Sequence, residues 1–186
     1  MKKLVICFLC IFMLLCTFGC EKKENTKVNN NAVKFKKEYE DLNKDNNYTK
    51  VSIKDNNYFV YITNDKLSKM LDNGTGFVFI GNKEDNESRN IVNVLNYVNA
   101  SAIYYIDINN LSSDNKEVIK NKINISVLKP IVLGVLNGNI VKYQEGTGYG
   151  NKDLSEDEQS DLKLIYDSIS AKTSDDACDI EKQDGC

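Results

Sequence analysis

Gly76-Phe77-Val78-Phe79-Ile80-Gly81 is a continuous apolar run with glycine at both ends. A strand covered on both faces has this pattern, whereas a strand wet on one face alternates. The run leads directly into Asn82-Lys83-Glu84-Asp85-Asn86-Glu87-Ser88-Arg89-Asn90. Beyond it, Ile91, Val94, Leu95 and Val98 recur at the i, i+3, i+4, i+7 spacing of an amphipathic helix. A buried strand that feeds a helix implies a parallel pairing, with helices lying on the sheet.

The pattern continues on both sides. Toward the C-terminus, residues 102–108 (AIYYIDI) read as a strand and 116–123 as a helix. Pro130 opens a second apolar run over 131–136. Asn137-Gly138 separates that run from Ile140-Val141-Lys142-Tyr143. Asn-Gly between two apolar runs predicts a tight hairpin, because both central residues of a type I′ turn need positive φ. Ser155 with Glu158 predicts a capping box, and Leu162, Ile165 and Ile169 predict the apolar face of a last helix. Toward the N-terminus, Val51-Ser52-Ile53 and Tyr58-Phe59-Val60-Tyr61-Ile62 read as extended segments around a turn at Asp55-Asn56-Asn57. Thr63 or Asn64 caps a short helix over 65–71, with Gly74 as its stop. Tyr58, Tyr61, Tyr104 and Tyr105 read as core or half-buried sheet residues rather than a ligand cage. The order β-α-β-α-β-α-β-β-α defines an α/β fold, a central mixed sheet with helices on both faces.

The ends of the chain have another character. Lys2 and Lys3 precede an apolar run over 4–18, which ends at Gly19-Cys20 and meets Glu21-Lys22-Lys23-Glu24. This is a secretory signal pattern, and the run is shorter than the ~20 apolar residues of a membrane-spanning helix. Thr17-Phe18-Gly19-Cys20 resembles the lipobox of bacterial lipoproteins, with Thr where Leu is usual. The resemblance implies a signal peptide over 1–19, lipidation of Cys20, and attachment to the outer face of the cell membrane. Cleavage leaves 186 − 19 = 167 residues, with a net charge of 22 − 27 = −5. Residues 20–50 read as a polar tether with a helix around Val33–Leu42, 51–171 as the folded domain and 172–186 as an acidic tail. Only Cys178 and Cys186 then remain as thiols, and outside the cytoplasm the default for such a pair is a disulfide.

Composition excludes several chemistries. The chain has no His, which removes Ser-His-Asp and Cys-His nucleophile pairs and the common zinc sites. With 24 basic and 27 acidic residues it lacks the basic face that nucleic acid requires. It carries 25 Asn but a single Arg, Arg89, and a single Pro, Pro130. The Asn and Lys excess reads first as coding bias.

Three segments together resemble the thioredoxin superfamily, and most closely the small extracytoplasmic thioredoxin-like lipoproteins of Gram-positive bacteria. They are the 76–81 strand running into 82–90, the Leu128-Lys129-Pro130-Ile131 segment, and the Asn-Gly hairpin followed by Glu145-Gly146-Thr147-Gly148. The resemblance implies a cis bond at Lys129–Pro130, in a loop that presents its backbone to an extended peptide. It also places a Cys-x-x-Cys pair where this chain has Asp85 and Ser88. Thiol–disulfide exchange needs a thiolate at a helix N-terminus and a second thiol one turn on. Asp and Ser cannot supply either, so the expectation is a domain without that redox chemistry and with no cofactor. Asp85 reads as a helix cap, with a cation site at Glu84, Asp85 and Glu87 and paired-carboxylate catalysis as rival readings. The function expected is a lipid-anchored binding or scaffolding module for a protein or peptide partner. Two rivals are a thiol oxidoreductase using Cys178 and Cys186, and a lipoprotein that binds a small solute or cation. The acidic surroundings of both cysteines raise a thiol pKa and weigh against the first.

Overall fold

The computed structural model describes residues 23–146 and 155–181, with side chains placed over 30–146 and 155–170. Helix α1 (Lys23–Glu40) runs into a 3-10 turn (Asp41–Lys44). Then follow β1 (Phe59–Tyr61), α2 (Asn64–Asn73), β2 (Gly76–Gly81), α3 (Asn86–Leu95) and β3 (Ile103–Asp107). After a second 3-10 turn (Ile108–Asn110) come α4 (Ser113–Ile123), β4 (Ile131–Leu136), β5 (Asn139–Glu145) and α5 (Glu156–Glu181). Among the described residues, no helix is long and apolar enough to cross a membrane.

The five strands form one mixed sheet in the order β1-β3-β2-β4-β5. β1, β3 and β2 are parallel, while β4 runs antiparallel to β2 and to β5. The central run is buried on both faces, as its composition requires. Phe77 and Phe79 face a cluster containing Phe35, Tyr39, Ile91, Leu95, Leu162 and Ile169, from α1, α3 and α5. Val78 and Ile80 face Leu67, Leu71 and Ile119, from α2 and α4. The period of two along β2 therefore divides the core into two layers, one on each side of the sheet.

Local chemistry fixes the boundaries. Thr63 caps α2 by accepting the N–H of Lys66, and Gly74 closes it. At the β4–β5 turn Asn137 and Gly138 have φ of 49° and 75°. Gly138 is required twice over, since a Cβ there would also lie 2.2 Å from the Asp72 carbonyl oxygen. Ser155 and Glu158 form a reciprocal capping box at the start of α5, with Ser155 N–H to Glu158 Oε2 at 2.7 Å and Glu158 N–H to Ser155 Oγ at 3.3 Å.

Two expected boundaries are corrected. A tether over 20–50 does not describe residues 32–44, because Ala32, Phe35 and Tyr39 are core residues and α1 packs on β1. Three apolar residues on one stripe suffice to dock a helix whose other faces are Lys, Asn and Glu. At the other end, α5 continues past residue 171 to Glu181. The Val51-Ser52-Ile53 segment is alternately buried and exposed but joins no sheet.

Candidate functional site

α3 starts at the C-terminal end of β2, and the turn between them is tied internally. Asp85 is the N-cap, and its Oδ2 accepts the Ser88 N–H at 2.6 Å. Ser88 is fully buried, and its Oγ accepts the Asn82 N–H at 2.9 Å. Asn82 Oδ1 accepts the Glu84 N–H at 2.6 Å, and its Nδ2 reaches Asp107 Oδ1 at 3.3 Å. A Cβ on Gly81 would lie 2.5 Å from the Phe79 ring and 2.8 Å from Ser88 Oγ, so close packing demands glycine there. Below the turn Tyr105 donates to the Gly81 carbonyl at 3.4 Å, and Tyr39 donates to Tyr105 at 3.4 Å. Burial pushes both phenols above their ordinary pKa and holds them protonated.

The structure brings the Pro130 loop to the same end of the sheet. Gly146 donates its N–H to the Pro130 carbonyl at 2.7 Å, and the Glu87 carboxylate faces Gly146. The Lys129–Pro130 bond is trans, since the described residues contain no cis peptide. The cis geometry expected there is corrected. Proline fixes φ and removes a donor in either isomer, so it opens β4 without it.

Sequence reasoning missed the role of Arg89. Its side chain is fully buried, and the guanidinium is held by oxygen acceptors from four segments. Nε donates to the Thr49 carbonyl, Nη1 to the Tyr39 and Lys83 carbonyls at 3.0 Å each, and Nη2 to Asn43 Oδ1 at 2.7 Å. All four of these acceptors are neutral. Tyr39 and Tyr48 present ring faces at 5.9 and 5.7 Å. Burial lowers the guanidinium pKa, yet arginine remains a cation at any working pH. The only arginine of the chain therefore fastens the 39–49 region to the start of α3. Its singularity in a lysine-rich chain was the available signal.

Chemically, the turn at 82–88 is a satisfied structural unit. Asp85 Oδ2 and Ser88 Oγ each accept a backbone N–H. Among the described residues, no three His, Cys, Asp or Glu side chains converge on a point that could hold a metal, and Glu84, Asp85 and Glu87 form no such group. Cys20 and Cys186 lie outside the described residues, and Cys178 falls on α5 where side chains are not described. Replacing Asp85 with Ala removes one capping bond, and chemical denaturation should register a loss of about 1 kcal/mol.

Compared with protein-family models and with curated proteins, the chain matches none.

Proposed function

We propose that the chain is a lipoprotein anchored through Cys20 outside the cell membrane, and that its thioredoxin-like domain binds a protein or peptide without redox turnover. One observation carries this reading. In a sheet ordered β1-β3-β2-β4-β5, the helix after β2 begins with Asp85 and Ser88 at Cys-x-x-Cys spacing, Asp85 capping the helix and the Ser88 hydroxyl accepting the Asn82 N–H of the preceding turn. That sheet order, with α3 and α5 on one face and α2 and α4 on the other, supports the thioredoxin-like assignment. The trans bond at Pro130 is a departure from that family's pattern. With no thiol at the site and no imidazole in the chain, the surface left at this end of the sheet is suited to contact rather than turnover.

The anchor is tested by metabolic labelling. A fatty-acid analogue should tag the protein, and Cys20→Ala should abolish the tag. Label that persists in the variant overturns the anchoring. Cys178 and Cys186 are proposed as a structural disulfide of the tail.

A further inference from the structure

α1 and the parallel strands run the same way. The Ala32 carbonyl accepts from Asn57 Nδ2 at 3.1 Å, just before β1 begins. The Tyr39 carbonyl accepts from Arg89 Nη1 at 3.0 Å, beside the 82–88 turn. Asn57, Tyr58 and Asn99 line one cleft at the first of these ends. Asp85, Ser88 and the Pro130 loop lie at the other. From Ala32 back to Lys23, α1 continues about 14 Å further from the 82–88 turn, at 1.5 Å per residue. Cys20 stands three residues before Lys23. A helix that lies flat in a lipid interface needs an apolar face and free basic charge. The described part of α1 offers neither. Its apolar stripe, Ala32, Phe35 and Tyr39, is spent on the core. Lys34 pairs with Glu38 at 3.8 Å, Lys36 with Asp55 at 2.7 Å, and Lys37 with Asp41. Among the described side chains of α1, Val33 alone is apolar and exposed.

We propose that α1 is a strut between the anchor and the domain, and that it holds the 82–88 turn and the Pro130 loop on the side away from the bilayer. The partner at that end is then a protein or peptide met from the aqueous side, not a membrane-embedded segment. This rests on the lipoprotein reading and adds the direction of approach. The anchor fixes one end of a helix whose other end is clasped by Arg89. With Phe35 and Tyr39 packed in the core, the helix does not swing independently of the sheet. At any tilt short of lying flat, the start of β1 is therefore nearer the bilayer than the 82–88 turn. Lying flat requires the lipid-facing surface that α1 lacks.

The test measures energy transfer from one dye on the full lipidated chain to an acceptor on a fraction of the headgroups, in vesicles of phosphatidylglycerol and phosphatidylethanolamine. The chain carries Cys178→Ser and Cys186→Ser, with the dye on either Asn99→Cys or Glu84→Cys, both exposed positions. They are separated by α3, ten residues and about 15 Å long, so transfer from Asn99→Cys should be about two-fold the stronger. Val28→Pro breaks α1 ahead of Ala32, Phe35 and Tyr39 and should bring the two values together. Equal or reversed transfer without that break, or a difference that survives it, overturns the strut. Fatty-acid labelling of the same preparation keeps the two readings apart. Equal transfer in a tagged chain removes the strut and leaves the lipoprotein reading standing, whereas an untagged chain removes both.

Discussion

Replacing Arg89 with Ala should lower the unfolding free energy by about 4 kcal/mol, a large part of the total for a domain of this size. The substitution leaves the Thr49, Tyr39 and Lys83 carbonyls and Asn43 Oδ1 without their donor. It also opens a cavity the size of a long side chain in a site with no exposure. Arg89→Lys should rescue little, because one ammonium cannot span acceptors approached from four segments by a planar fork. Equilibrium denaturation followed by far-UV circular dichroism checks both. A loss below 1 kcal/mol for Arg89→Ala would mean that the 39–49 region is not fastened through this residue.

Phe35→Ala should cost about 3–5 kcal/mol, the range for an aromatic removed from a packed core. Phe35 stacks on Phe59 with centroids 3.8 Å apart and on Tyr39 at 4.4 Å, and it meets Tyr105 edge-on at 4.9 Å. The same substitution in a solvated tether would cost almost nothing. Thermal melts of the two chains therefore settle where the folded unit begins.

The sheet and its order of elements were legible because their signals are dense. Phe77 to Ile80 is uninterrupted, and Asn137-Gly138 permits one hairpin geometry. The cap at Asp85 was legible for the same reason, since Asp before an apolar stripe has one common use. A helix around Val33–Leu42 was legible, but its docking was not, because the stripe holds only Ala32, Phe35 and Tyr39 among Lys, Asn and Glu. Its docking depends on Phe59 and Tyr105, which are distant in sequence. The 47–54 segment has the alternation of a strand, but side chains rather than a strand complete its hydrogen bonds. Periodicity reports which face is buried and is silent on what satisfies the backbone. The asparagines of α3 were set down to coding bias, yet Asn86, Asn93 and Asn96 all lie on the face that meets this segment.

The central claim is that the site proposed as thioredoxin-like, at the start of α3, does no redox work. It is tested most directly by insulin-disulfide reduction with the full chain carrying Cys178→Ser and Cys186→Ser. A companion chain adds Asp85→Cys and Ser88→Cys. The first should show no turnover above the reductant alone. The companion should acquire a titratable dithiol, because the start of α3 lowers the pKa of a thiol placed there. Turnover by the first chain would contradict the account.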